Sequence, residues 1–252
     1  TKDAYTALTS SVEVTAGETA IADFALEQSS VVELFADGFD DNETSSAWEI
    51  VGGTWSEEMG EMRQTDNTFD ANYTFKGGAF AIAGNADWSD YTVLSQIRSD
   101  DDDRMGLVFR YQDADNFYVF SWDDDPADRS IVRVFEGDET KIASDAAPYE
   151  IEAWYNVKIV VEGTSIQLLI DDDLIFDVTD DRIASGKVGL YNNGNDNGYF
   201  DGFSVNGLTA AATGVGAISG TVTDISTGNG VSGATVTVTP GDHTAPTAAD
   251  GS

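Results

Sequence analysis

The sequence predicts an all-β protein, on three observations. Its ordered-looking runs are short and rich in Val, Ile, Thr, Tyr and Phe, residues that suit a pleated, half-buried surface. Gly, Asn and Asp separate these runs, with 25 Gly and only 4 Pro among 252 residues. No segment carries a 3.6-residue apolar period, so no amphipathic helix is expected. Hydrophobic residues make up 41% of the chain, enough for at least one sizeable core.

Composition also excludes several functions. There are 46 acidic and 12 basic residues, for a formal net charge of −34. Such a field repels phosphate, so neither nucleic acid nor an anionic membrane is an expected partner. The acid reads as a solvated, salt-adapted or solubilising surface, with local calcium sites layered on it. With no cysteine, disulfides, thiolate zinc sites and cysteine nucleophiles are out. The single histidine, His243, lies in a Thr/Pro/Ala-rich tail, which removes histidine-based triads and metal centres. No apolar run approaches the roughly 18 residues of a membrane span. Without an initiator Met or a signal peptide, the chain reads as a piece of something longer.

Taken in order, residues 1–30 read as two strands about the turn Ala16-Gly17-Glu18. The run SSVEVTAGETAIADFALE resembles the closing strands of a carboxypeptidase-regulatory-like domain, a small transthyretin-like β-sandwich. Residues 210–252 hold a small-residue linker, Ala210–Gly216, and then Gly216–Gly241, which resembles the opening strands of the same family. The middle strands are missing from both. Two readings stand: a trimmed piece of a tandem surface protein, or open half-sandwiches that pair end to end with copies of the same chain into filaments.

Between them, residues 31–209 carry strand-like runs about every ten residues, from VVELFADGF to YFDGFSV, the pattern of a two-sheet antiparallel jelly roll or related sandwich. The clearest is GLVFRYQDADNFYVFSW, Gly106–Trp122, two alternating strands joined by the turn-formers Asp113–Asn116. Alternation places Leu107, Phe109 and Tyr111 on one side, with Val108, Arg110 and Gln112 on the other. In order, LFADGFDD…W…GGTW, ADWSDYTVLSQI, this hairpin, AWYNVKIVVEGTSIQLLIDDDLIFDVTD and SGKVGLYNNG…YFDGFSV resemble the laminin-G-like, concanavalin A-like lectin/glucanase jelly roll. That resemblance implies two curved sheets and a concave face where relatives hold polysaccharide.

Arg98, Arg110 and Arg133 all fall inside predicted strands, which is unusual in so acidic a chain. If those strands are neighbours, one sheet face gathers them with Gln96, Gln112, Tyr118 and Trp122 into a ligand groove. The competing reading pairs each arginine with an acid and leaves Trp122 half-buried; Trp48, Trp55 and Trp154 read as core. The groove reading expects Arg110→Ala to abolish glycan binding and spare the fold, whereas loss of folding marks a buried ion pair. The resemblance further implies calcium where the first and last strands meet, at Asp37, Asp40 and Asp201; the alternative is that all three cap turns. The Asn193–Gly198 run reads as a turn, and the runs Asp100–Asp103, Asp123–Asp125 and Asp171–Asp173 as solvated loops. Paired acids for glycoside hydrolysis are not evident beyond Glu150 and Glu152, expected on one strand face. The resulting expectation is a non-catalytic, calcium-stabilised module, extracellular or on the cell surface, that binds a polysaccharide or cell-surface glycan in adhesion. The alternatives are a stalk or filament repeat and, more weakly, a glycoside hydrolase.

Overall fold

The computed structural model describes residues 18–20, 32–208, 222–224, 227–238, 243–246 and 248. Residues 31–208 form one compact unit, and residues 1–30 with 209–252 another. In the second unit, β1 (Glu18–Ala20) pairs antiparallel with β17 (Val222–Asp224), joining the two ends of one chain. In the same unit β18 (Thr235–Val238) pairs with β19 (His243–Pro246). The rest of the expected end strands, and with them the small sandwiches, lie outside the described residues.

The larger unit is an all-β sandwich of two antiparallel sheets. Its strands are β2 (Val32–Asp37), β3 (Glu49–Val51), β4 (Trp55–Glu58), β5 (Glu61–Gln64), β6 (Ala79–Ala83), β7 (Tyr91–Ser99), β8 (Arg104–Asp113) and β9 (Asn116–Asp123). They continue with β10 (Asp128–Phe135), β11 (Asp138–Asp145), β12 (Tyr155–Glu162), β13 (Ser165–Ile170), β14 (Asp173–Thr179), β15 (Lys187–Asn193) and β16 (Gly198–Gly207). A seven-stranded sheet runs β11-β10-β9-β8-β15-β6-β3, and an eight-stranded sheet runs β14-β13-β12-β7-β16-β5-β4 with β2 also on β16. The predicted hairpin is β8–β9, closed by Asp113 opposite Asn116.

Two local departures from the sequence reading matter. The run Trp48–Glu58 looks like one strand but is two, β3 and β4, in different sheets. Gly52 and Gly53 separate them with φ of 81° and 72°, a left-handed pair that lets the chain cross over. In β8, strict alternation fails. Leu107 and Phe109 do face the inter-sheet core, but a register shift after Phe109 returns Tyr111 to the side of Val108.

The core between the sheets takes Leu107, Phe109, Phe120 and Leu190 from one side and Val93, Ile97, Ile159, Leu168 and Phe200 from the other. Strands β12 and β13 alternate buried and half-buried residues, as strands with one packed face do. Strands β8 and β9 are buried almost throughout, because the seven-stranded sheet is covered on both faces. Its outer face carries a second apolar cluster with Phe80, Ile82, Val108, Val119, Val132 and Val134, capped by Phe75 from the connection between β5 and β6.

Candidate functional site

Beyond that apolar patch, the outer face of the seven-stranded sheet turns polar. The register sets Tyr191 of β15 beside Gly106 of β8, Gly106 beside Ser121 of β9, and Ser121 beside Ser130 of β10. Two residues along, Asn193 faces Arg104 and Asp123 faces Asp128. The period of two puts them all on the face of Val108, Val119 and Val132. Tyr191, Ser121, Asp123 and Ser130 are each no more than 1% exposed. Arg104 Nη2 lies 2.6 Å from Asp123 Oδ2, an ion pair without hydrogen-bond geometry.

Among the described residues, Arg104 Nε, both Asp123 carboxylate oxygens and Ser130 Oγ have no hydrogen-bond partner, while the Tyr191 hydroxyl lies against Asn193 and Ser121. Buried polar groups are nearly always paired. Four such atoms on one sheet face therefore mark hydrogen-bonding capacity the protein itself does not use. Burial pushes the Asp123 carboxyl up to about 6; Arg104 opposes the shift, while Asp103, Asp128 and Asp102 add to it.

The segment 66–78 lies across this face without strand structure. A single carboxylate anchors it: Glu139 accepts the backbone N–H groups of Thr74 (3.0 Å), Phe75 (2.8 Å) and Lys76 (2.8 Å). Lys76 Nζ also reaches Asp115 at 2.7 Å, and Asn193 Nδ2 donates to the Thr74 carbonyl. Beside the segment opens a cavity of about 480 Å³, lined by Phe69, Asp70, Tyr73, Asp103, Arg104 and Asn193 among others. Phe69 and Tyr73 are 63% and 42% exposed on its rim. Burial, then the neighbouring Asp101 and Asp102, raise the Asp103 carboxyl above its usual range. Exposed aromatic faces over a polar, partly charged floor suit a polyhydroxylated ligand.

The side chains predicted from the sequence fall elsewhere. Gln96 and Arg98 sit on β7 in the eight-stranded sheet, whereas Arg110, Gln112, Tyr118, Trp122 and Arg133 sit in the seven-stranded one. The single face expected to gather them does not form, because the chain changes sheets between β7 and β8. Arg98 binds Asp100 through Nε and Nη2 and covers the Tyr199 ring at 4.7 Å. Gln96 Nε2 donates to Asn156 and Gln112 Nε2 to the Ser185 carbonyl. Tyr118 and Trp122 point into the inter-sheet core, with Trp122 Nε1 donating to the Ala147 carbonyl.

Arg110, Arg133 and Tyr118 do converge, but inward. Arg133 pairs with Asp180, which also accepts the Tyr118 hydroxyl at 2.5 Å. Arg110 is 1% exposed and donates to the carbonyls of Ile183, Ser89 and Gly163. Of the expected core tryptophans, Trp48 is buried, Trp55 packs against the same core, and Trp154 lies against Arg98. Glu150 and Glu152 are exposed and belong to a turn, not to one strand face.

The carboxylates expected to hold calcium also separate. Asp37 ends β2 opposite Phe203, accepting Phe39 N–H at 2.9 Å and Trp48 Nε1 at 2.9 Å. Because β2 stops there, Asp201 lies beyond the ladder, opposite Gln96, and accepts the Gly202 N–H. Asp40 is exposed. Near Asp37 instead are Asp41 and Glu57. Glu57 is 5% exposed, with its carboxyl close to the Asp41 carboxyl and the Ser45 backbone. Burial first, then the charge of Asp37 and the Asp41 carboxyl, lift it to about 7.

Sequence reasoning missed Phe69, Tyr73, Arg104, Asp123, Asn193 and Glu57. Phe69 and Tyr73 gave a usable signal, being aromatics in a stretch with no strand pattern.

Comparison with known proteins agrees with this architecture. The model of the 3-keto-alpha-glucoside-1,2-lyase-like domain matches residues 33–206, and no curated protein matches the chain in sequence. Among solved structures, the carbohydrate binding module CBM66 from Bacillus subtilis superposes with a TM-score of 0.56 at 22% identity, over 64% of this chain and 96% of that one. A Bacillus subtilis protein of unknown function with a galectin-like fold gives 0.54 at 10% identity, over 70% and 97%. The xyloglucan PUL GH43B of Bacteroides ovatus gives 0.54 at 16% identity, over 69% of this chain but 39% of that one. These likenesses establish a galectin-like, jelly-roll-like β-sandwich. With a family match that runs from β2 to β16, the chain belongs to the 3-keto-alpha-glucoside-1,2-lyase-like domain family.

Proposed function

We propose that this chain is a non-catalytic carbohydrate-binding module that takes a polysaccharide or cell-surface glycan in the cavity under Phe69 and Tyr73. The observation that carries this is the cavity itself: two exposed aromatic rings beside Arg104 and Asn193, on a sheet face with unused buried hydrogen-bonding groups. The likeness of fold to CBM66 supports it. A net charge of −34 favours neutral over anionic glycans. Replacing Tyr73 or Phe69 by Ala should weaken binding about fivefold, since a stacked aromatic contributes about 1 kcal/mol beyond its burial, with little change in melting temperature. Glycan-array screening followed by calorimetry is the measurement. Undiminished binding by the double variant removes the cavity from consideration.

One calcium ion belongs to the same reading. Asp37, Asp41 and Glu57 offer the carboxylate oxygens a hard cation prefers, though they do not converge as tightly as Asp101, Asp102 and Asp103, and the buried Glu57 is the group such an ion would neutralise. When bound, the ion ties the loop after β2 to β4. An extracellular or cell-surface location, where calcium is plentiful, belongs to the same reading.

A second reading, eliminative cleavage of a 3-keto sugar, is favoured by Asp123. A buried carboxyl raised to about 6 beside Arg104 has the character of a general base. With the segment above it displaced, it would accept the proton on the carbon next to the ketone while the glycosidic C–O bond on the following carbon breaks and the departing oxygen takes a proton from solvent. Incubation with a 3-keto-disaccharide decides: turnover lost in Asp123→Asn establishes this reading, and absence of turnover with retained binding leaves the module non-catalytic.

A further inference from the structure

The geometry points to a second sugar subsite beneath Phe75, continuous with the cavity through Arg104 and filled in this structure by the phenyl ring. This rests on the carbohydrate-binding reading and extends it. The Phe75 ring lies 5.7 Å from the Arg104 guanidinium on β8 and 5.7 Å from the Lys141 ammonium on β11. Strands β9 and β10 separate β8 from β11, and neighbouring strands are about 4.8 Å apart. A ring within reach of both cations must therefore stand over β9 and β10, at the level of Ser121 and Ser130.

The ring caps the apolar cluster of Val108, Val119 and Val132 on one side but covers unpartnered polar groups on the other. A phenyl ring offers no hydrogen bond to the unpartnered Ser130 hydroxyl, Asp123 carboxylate and Arg104 Nε of this face. A pyranose or furanose ring has similar size and carries hydroxyls around its edge. It would engage those groups while keeping contact with the apolar patch through its C–H face.

Phe75 is held by a connection anchored chiefly at Glu139, with the Lys76–Asp115 ion pair and the Asn193–Thr74 hydrogen bond beside it. The Glu139 carboxylate accepts three consecutive N–H groups, of Thr74, Phe75 and Lys76. Loosening this anchor frees the ring without altering the floor. A ligand that needs the second subsite binds the open form alone, so its apparent affinity is lowered by the fraction of molecules that are open.

The test uses the full chain and a neutral oligosaccharide ladder, xylose to xylotetraose and glucose to cellotetraose, titrated by calorimetry against wild type, Phe75→Ala and Glu139→Gln. The expected result is a gain of at least tenfold in affinity for the longer members in both variants, with the monosaccharide affinities unchanged. Glu139→Gln keeps Phe75 and guards against a variant that only unfolds. A parallel fall along the whole ladder, or no change in either variant, overturns the subsite while leaving the open cavity as the binding site. Failure of every ladder member and every arrayed glycan to bind any of the three proteins overturns the carbohydrate reading and the subsite with it.

Discussion

Arg110→Ala is expected to destabilise the sandwich by on the order of 3–5 kcal/mol, the range for breaking a buried charged network. Arg110 Nη1 donates to the Ile183 carbonyl at 3.0 Å, and Nη2 to the carbonyls of Ser89 (3.0 Å) and Gly163 (2.6 Å). These acceptors sit in three connections: before β7, between β12 and β13, and between β14 and β15. One guanidinium thus joins three loops at one end of the sandwich, and its removal orphans carbonyls at about 1–3 kcal/mol each. The backbone cooperates, since Arg110 adopts φ of 48° and its N–H donates to the Tyr91 hydroxyl at 2.9 Å. Arg110→Lys should recover only part of the loss, because an ammonium cannot reproduce the planar fork. Denaturant titration reads both effects. An unchanged midpoint for the alanine variant would contradict this role.

Calcium is expected to have the second large effect. At a concentration about a hundred times its Kd, the ion should add about 2.7 kcal/mol and raise the melting temperature by roughly 5–10 °C. A chelator should reverse the rise, and Glu57→Gln should abolish the response. The pH dependence follows from Glu57, raised from 4.5 to about 7. A raised carboxyl favours the protonated folded state. Without the ion, its contribution to stability is therefore present below about 4.5 and lost as pH rises through about 7. Calcium needs the ionised form, so its own increment grows over that interval. Melting curves at pH 5 and pH 8, with and without calcium, test the sign. An equal increment at both pH values would place the ion elsewhere.

How far this was legible from sequence differs between elements. The hairpin β8–β9 was readable because its signals are local: alternation, aromatic and β-branched residues, and four turn-formers at Asp113–Asn116. The division of Trp48–Glu58 was not, since Gly52-Gly53 within a strand-like run marks a bulge as readily as a crossover. Calcium was expected at Asp37, Asp40 and Asp201, which the strand register separates; the buried Glu57 near Asp37 was not identified, because it reads as one more surface acid in a chain full of them. Asp123 was hidden for the same reason, inside a run that looks solvated. Arg110 drew notice for being basic in mid-strand, yet its direction turned on a register shift that no local pattern announces.

By itself, the sequence determined the all-β class, the positions of nearly every strand in the central unit and the exclusion of cysteine and histidine chemistry. Each of these follows from composition or from a period of two along one segment. Only the tertiary structure decided which sheet each strand joins, and therefore that Arg98 and Arg110 never share a face. It also decided which polar groups are buried. Burial of Asp123, Ser130 and Tyr191 depends on segment 66–78 crossing strands far away in sequence, and desolvation is a property of what covers a residue rather than of the residue.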